Sequence, residues 1–219
     1  MHKRIAIVTT SPLPVNFFLQ DHVRALSREY HVAIVVNASD PKELGGVADI
    51  VEFIPMKIHR EIHLLADMAA LWGLYCLFRK KNFDLIHSMN PKAGLLCMLA
   101  AGLVRTKCRL HTFTGQVWVT RRGIGRWLLK QMDKITSRLA TTILVDSHSQ
   151  RDFLLAQGVV SKASSLVLAD GSISGVNLSR FYPDLKQRHE VRQELGIAED
   201  AKVITYVGRL KRDKGVLDL

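Results

Sequence analysis

Four stretches of this sequence carry side chains suited to holding a polar or anionic ligand, and each follows a run that reads as a β-strand. Arg109-Leu-His-Thr-Phe-Thr-Gly115 puts His111 near the end of such a run, with Thr112 beside it. An imidazole there could hydrogen-bond a polar ligand, although a lone strand histidine is also often a satisfied core residue. His87-Ser-Met-Asn-Pro-Lys-Ala-Gly94 places Asn90 to cap a helix beginning at Pro91. Lys92 and the open N–H groups of that first turn are suited to an anion, and capping alone would equally explain the pattern. Thr9-Thr-Ser-Pro-Leu-Pro-Val-Asn16 holds Pro14 and Asn16 in a turn that its two prolines stiffen. Asp170-Gly-Ser-Ile-Ser-Gly-Val-Asn177 brings Gly171 and Gly175, which admit backbone geometries other residues resist; an ordinary loop is the alternative.

A fifth stretch lies near the end of the chain. Val203 to Val207 is β-branched and aromatic, the composition of a buried strand. Gly208 turns the chain, Arg209 and Lys214 flank the turn with charge, and Gly215 opens what reads as a helix. Strand, glycine turn and helix start together present N–H groups and cations to a phosphate. A surface turn with two solvated cations is the competing reading. The G-x-G-x-x-G of a dinucleotide fold is absent after the first strand, and Gly123-Ile-Gly125 follows no strand. No His/Asp cluster has ligand spacing and no D-x-D follows a strand, so no metal site is expected.

These residues need a scaffold, and the chain alternates strand and helix patterns throughout. Strands are predicted at 4–9, 31–37, 51–55, 83–88, 109–114, 142–146 and 165–168. Helices are predicted at 15–30, 58–81, 92–104, 124–139 and 149–157, the last closed by Gly158. Such alternation specifies an α/β fold with a doubly wound, Rossmann-like parallel sheet, whose ligands sit at the carboxyl ends of its strands. The series ends around Phe181-Tyr-Pro183, so residues 1–183 are expected to form one domain. Residues 184–219 are expected to hold a linker helix and the first strand and turn of an incomplete second α/β domain.

With 219 residues, 47% of them hydrophobic and 23% charged, the chain is an ordinary folded protein and not a disordered one. A net charge of +11 points to an anionic partner. Cys76, Cys97 and Cys108 show no metal spacing, Cys76 and Cys97 lie in apolar runs, and the three are expected to be buried, reduced thiols. No export signal is visible after Met1, and the apolar run 64–78, broken by Asp67 and Gly73, falls short of a membrane span. A cytoplasmic protein is therefore expected.

Gly208-Arg-Leu-x-x-x-Lys-Gly215 resembles the opening of the second domain of family 4 glycosyltransferases of the GT-B fold, and shorter resemblances extend over nearly the whole chain. The resemblance implies a retaining enzyme in which Arg209 and Lys214 grip the diphosphate of a nucleotide-sugar donor. It implies that His111, in an "H-T" match, faces the sugar and helps stabilise the charged transition state. Pro14, Asn16, His87, Asn90, Lys92, Thr112 and Gly175 fall on loops that line the family's cleft and acceptor side. This chain departs from the pattern by lacking glycines in its first loop, and by Ser174 and Asn177 in the family's "N-G-V-D" turn. The family's E-x7-E motif is not found, so these 219 residues alone are expected to be inactive or nearly so. No cofactor is implied, the nucleotide-diphosphate-sugar being a substrate. GT-B enzymes of this kind use basic side chains and helix N-termini in place of a metal.

From Arg105 to Arg138 there are nine cations and one acid, Asp133. Arg122, Arg126, Lys130, Lys134 and Arg138 recur every fourth residue, beside an apolar face of Ile124, Trp127, Leu128, Met132, Ile135 and Leu139. With Trp118 and Trp127 this suits the surface of an anionic membrane; a core helix with a solvated outer face is the alternative. The expected partners are a nucleotide sugar, a polyprenyl-diphosphate-linked saccharide acceptor and the anionic inner-membrane surface, in bacterial surface polysaccharide synthesis. Nucleic acid is not expected, because no reading module is present. A non-catalytic membrane-surface binding module is the competing function.

Overall fold

The computed structural model describes residues 3–208, 210 and 215–217. Seven parallel strands form one sheet in the order β3-β2-β1-β4-β5-β6-β7. They are β1 (Arg4–Thr9), β2 (His31–Val36), β3 (Glu52–Pro55), β4 (Leu85–Met89), β5 (Cys108–Phe113), β6 (Thr142–Val145) and β7 (Ser165–Leu166). The doubly wound α/β reading holds. Central strands such as Ile5-Ala-Ile-Val8 are apolar on both faces because both faces are covered, as parallel sheets require. The order reverses between β1 and β4, which opens a crevice at their carboxyl ends.

Alternate residues feed two cores. Ile5, Ile7, Ile34 and Met89 pack on one face with Val15, Leu19 and Val23. There α1 (Gln20–Leu26), a π-helical turn (Val15–Leu19) and a 3-10 segment (Pro41–Ile50) cover the sheet. Ala6, Val8, Ile86 and Phe113 pack on the other face, against α2 (Leu64–Lys81), α3 (Pro91–Leu103), α4 (Gly123–Leu139) and α5 (His148–Ala156). The 3-10 segment has no counterpart in the sequence reading. The predicted helix at 58–81 begins only at Leu64, and the helix at 15–30 is a π-helical turn followed by two turns of α-helix.

By its contacts the chain divides into Met1–Gly175 and Val176–Leu219. In the second unit α6 (Leu185–Glu194) is capped by Asp184, whose carboxylate accepts from the N–H groups of Lys186 and Gln187 at 2.9 and 3.0 Å. The expected strand at 203–207 is not formed; these residues are irregular. A β-branched run becomes a strand only when a neighbour pairs its backbone, and no described strand lies alongside this one. Cys76 and Cys108 are exposed, correcting their expected burial: the buried positions of α2 are Ala70, Leu74 and Phe78, and Cys108 stands at the exposed start of β5.

Candidate functional site

The candidate site is the carboxyl edge of β1, β4 and β5, where the side chains beyond the strands converge. Because β4 and β5 run parallel with Ser88 beside His111 and Met89 beside Thr112, alternate residues serve opposite faces. Ser88 and His111 point to the α3 side, and His87 and Thr112 to the α1 side.

His111 is 1% exposed and its Nδ1 lies 2.8 Å from Ser88 Oγ. Its ring stands edge-on to Phe113, with centroids 4.5 Å apart. The first turn of α3 closes over it, at a position only glycine fits: a Cβ on Gly94 would lie 2.4 Å from His111 Cε1. Burial, then the neighbouring His87, pull its pKa from 6.5 to about 3, so the imidazole is neutral at pH 7. The first turn of α3 covers His111, so its ring lies beneath the strand edge. The same burial pushes the thiol of Cys97, on α3, well above its usual range.

His87 is half-buried and its Nε2 lies 2.8 Å from Thr112 Oγ1. Burial and the nearby His22 lower its pKa to about 4. His22, on α1, holds the backbone carbonyl of Ile173 at 2.7 Å. That contact ties α1 to the 169–175 loop, in which Ala169, Gly171, Ser172 and Gly175 all have positive φ. Two non-glycine residues in left-handed geometry mark a strained loop, the kind that persists at ligand sites. Gly175 takes φ 63° and its N–H donates to Ser172 Oγ at 3.3 Å, so its role is in the backbone.

Asn90 does not cap α3 with its side chain. It sits at φ 72°, ψ 144°, and its Oδ1 lies 3.5 Å from both the N–H and the hydroxyl of Thr10. This contact joins the loops after β1 and β4 across the crevice, a role that spacing alone could not reveal. Lys92 is committed as well: its ammonium pairs with Asp67 at 2.5 Å and donates to the Glu61 carbonyl, which anchors α2 to α3. Pro14 is buried at the entry to the π-helical turn. Asn16 donates to the Glu43 carbonyl at 2.7 Å and accepts from Gln20 at 3.3 Å. Both fix the first loop from within, while Leu13, Phe17 and Phe18 stand exposed on it.

Of the phosphate-binding candidates Gly208 is described, in a bend, whereas Arg209 and Lys214 lie outside the described residues. Among the described residues no group of three His, Cys, Asp or Glu side chains is arranged to hold a metal. Sequence reasoning missed Gln116, Asp146 and Gln150, which gather at the carboxyl ends of β5 and β6. The same strand-end rule applied to β6 would have found Asp146.

The basic helix is built inside out. The fully buried residues of α4 are Asp133, Thr136 and Ser137, whereas Ile124, Trp127 and Leu128 are 84%, 62% and 46% exposed. Trp118, expected at a surface, is 1% exposed instead: its Nε1 donates to Asp133 Oδ2 at 2.7 Å and its ring stacks on Phe153. Arg126 and Lys130 lie over the Trp118 ring at 5.8 and 5.4 Å, and Lys130 also donates to Gln157. Burying Asp133 pushes its pKa up to about 6, an effect the Trp118 bond reduces. Arg122 and Arg138 remain exposed, and Lys134 is half-buried. No described helix is long and apolar enough to cross a membrane.

Comparison with known proteins identifies the family from sequence and the fold from structure. The family described as "Glycosyl transferase 4-like domain" matches residues 15–169. The capsular polysaccharide biosynthesis glycosyltransferase CapM of Staphylococcus aureus is 32% identical over 193 residues, 88% of this chain and 50% of that protein. The UDP-Gal:alpha-D-GlcNAc-diphosphoundecaprenol alpha-1,3-galactosyltransferase of Escherichia coli is 27% identical over 183 residues, 80% of this chain and 46% of that protein. The chain thus spans about half the length of these relatives. Among solved structures, sucrose-phosphate synthase of Thermosynechococcus elongatus superposes with a TM-score of 0.69 at 19% identity, over 97% of this chain and 57% of that one. HepE of Anabaena in complex with UDP and glucose gives 0.64 at 12% identity, over 89% and 50%. At these identities the structures speak for the fold.

Proposed function

This chain belongs to the glycosyl transferase 4-like domain family, and from that premise we propose that it forms the acceptor side of a retaining, metal-independent GT-B glycosyltransferase. In this reading residues 1–183 bind the acceptor and residues from 184 onward lead into the donor side. Gly208, Arg209 and Lys214 hold the diphosphate of a nucleotide-diphosphate-sugar. The acceptor is a polyprenyl-diphosphate-linked saccharide of bacterial surface polysaccharide synthesis, supported by the lipid-linked acceptor in the name of the Escherichia coli relative. The 219 residues alone transfer little or no sugar, because the family's donor-contacting motif is not among them.

The observation that carries this reading is the crevice between β1 and β4. Its lips are joined by strained Asn90 and Thr10, and its floor is set by a neutral network, His87 with Thr112 and Ser88 with His111. A neutral, hydrogen-bonding edge suits a saccharide better than it suits a second diphosphate. His111 acts here as a positioning residue that fixes Ser88 and the start of α3.

The exposed apolar face of α4, bordered by Arg121, Arg122 and Arg126, supports peripheral docking on the anionic cytoplasmic face of the membrane, where the acceptor resides. Leu65, Met68 and Trp72 extend an exposed apolar face along α2. These features equally favour a second reading, a membrane-surface binding module without catalysis.

The deciding experiment uses the longest native polypeptide containing this chain. It is incubated with nucleotide sugars and prenyl-diphosphate saccharides in anionic vesicles, and product anomers are assigned by NMR. Transfer with retained anomeric configuration, unaffected by EDTA, is expected. An inverted anomer would overturn the retaining mechanism, and EDTA sensitivity the metal independence. Vesicle binding without transfer from any donor would leave the binding-module reading in its place. Trp127→Ser with Ile124→Ser should abolish vesicle flotation while leaving folding unchanged, since both side chains already face solvent; undiminished flotation would refute the membrane role.

A further inference from the structure

Beyond the strand ends of β5 and β6 lies a polar cluster that the crevice does not use. Gln116 follows β5, Asp146 follows β6 directly, and Gln150 lies in the first turn of α5. The backbone N–H of Asp146 donates to Gln150 Oε1 at 3.0 Å. A backbone N–H only donates, so Gln150 must present its oxygen there and its amide N–H at the other end. That end donates to Gln116 Oε1 at 3.3 Å. One backbone donor therefore fixes both amides in turn, and Gln116 has to direct its own N–H groups away from Gln150.

Gln116 Nε2 is buried with no hydrogen-bond partner, and so is Asp146 Oδ1. An unmet buried polar atom costs about 1–3 kcal/mol, so two at one edge call for an explanation. The backbone on either side of Asp146 is held in place. The Asp146 carbonyl accepts from Ser172 N–H at 2.6 Å, and Gly171 passes so close that a Cβ there would lie 2.8 Å from that oxygen. Ser147 caps α5 by accepting from the Gln150 N–H at 3.1 Å. The two unmet atoms are complementary, one a donor and the other an acceptor. A hydroxyl group, which can accept one hydrogen bond and donate one, has the chemistry to meet either atom.

We propose that Gln116 and Asp146 form a hydroxyl-reading pair for the saccharide acceptor, the Gln116 amide donating to a sugar hydroxyl and the Asp146 carboxylate accepting from one. This rests on the acceptor-side reading above and goes beyond it by naming what distinguishes the sugar from its lipid carrier. A site built to bond a hydroxyl discriminates strongly against ligands that lack it, because its buried groups are otherwise left unpaired.

The test uses this chain and two soluble probes, a short-prenyl diphosphate carrying α-GlcNAc and the same prenyl diphosphate without sugar. Titration calorimetry is expected to show tighter binding of the sugar-bearing probe. Asp146→Asn and Gln116→Glu should each remove about tenfold of that preference, the value of one hydrogen bond near 1.4 kcal/mol. Affinity for the bare prenyl diphosphate should stay unchanged. The Gln116 side-chain amide should shift in nitrogen–proton spectra with the sugar probe only.

If the unaltered protein does not distinguish the two probes, the acceptor reading fails and this proposal with it. If it prefers the sugar and both variants keep the preference, the pair alone is overturned. Equal losses for both probes, together with a lowered Tm, would assign the two atoms to the fold and likewise overturn the pair.

Discussion

Gly94→Ala is expected to destabilise this protein even though alanine is the better helix former. On an exposed helical turn the exchange gains about 1 kcal/mol. At position 94 the added methyl carbon would sit 2.4 Å from His111 Cε1, 2.9 Å from Nδ1 and 3.3 Å from Nε2. The ring has no room to retreat, because Ser88 holds Nδ1 at 2.8 Å and Phe113 lies edge-on at 4.5 Å. Overpacking of this kind costs about 1–3 kcal/mol. Breaking the buried Ser88–His111 bond adds about 1–3 kcal/mol for the groups left unpaired. After the helical gain is subtracted, Gly94→Ala should lose about 1–5 kcal/mol, which moves a urea midpoint down by about 0.5–2.5 M at a slope near 2 kcal/mol/M. In a His111→Ala background the obstacle is gone, and Gly94→Ala should be neutral or stabilising by up to about 1 kcal/mol. Urea unfolding of the four proteins completes the cycle. Equal effects of Gly94→Ala in both backgrounds would refute the close packing of α3 on His111.

Asp133 has a folded pKa raised to about 6 from 3.8, so the folded state holds its proton longer than the unfolded state does. Its contribution to stability is full below pH 4 and is lost as pH rises through 6, by ~3 kcal/mol. Asp133→Asn keeps an acceptor for Trp118 and should become progressively more stable than the parent between pH 4 and 7.5; a pH-independent difference in urea midpoints would contradict this. The two histidines act in the opposite direction, with folded values lowered to about 4 for His87 and about 3 for His111. Stability should therefore fall as pH drops below 6.5, by roughly 3 kcal/mol for each at pH 4, and Asp133 offsets part of it. His111→Gln should flatten that limb in pH-dependent melts, and an unchanged limb would argue against a buried neutral ring. Lys92 and Asp67 form a pair whose side chains are 14% and 16% exposed. Lys92→Met alone should cost about 3 kcal/mol, whereas Lys92→Met with Asp67→Leu should cost less than the sum of the two single changes, as a double-mutant cycle would measure.

The sheet was legible because its strands are continuous apolar runs between glycine, proline and polar breaks, a pattern set by burial on both faces. What periodicity cannot convey is which face a residue serves once a third element packs on it. His111 and His87 lie on neighbouring strands and look equally exposed as motifs. The register pairs Ser88 with His111, and the glycine at 94 allows α3 to cover that face, so the two imidazoles end in different environments. Asn90 read as a cap because its residue type and the following proline fit one, whereas its side chain is engaged by Thr10 from another strand. The run 203–207 has the composition of a strand, but strand formation is a property of pairs, and the residues alone could not supply the partner.

The inside-out burial of α4 follows from the same limit and bears on function. Periodicity separated an apolar face from a basic one but left open whether the apolar face meets a membrane surface or the core. The placement of Trp118 bears on that choice. By filling the space beneath α4 and donating to Asp133, it draws the polar face inward, and Arg126 and Lys130 cover its ring. Ile124, Trp127 and Leu128 are thereby left facing outward. Exposing three large apolar side chains on one helix forfeits roughly 1.5–3 kcal/mol of burial apiece. An apolar surface that contacts the helix in use would recover that free energy, and the neighbouring arginines favour one carrying negative charge. In the reading proposed above, the crevice and the charged helix divide the work physically: one would offer hydrogen bonds to a sugar, and the other charge and apolar area to the surface on which a lipid-linked sugar would be presented.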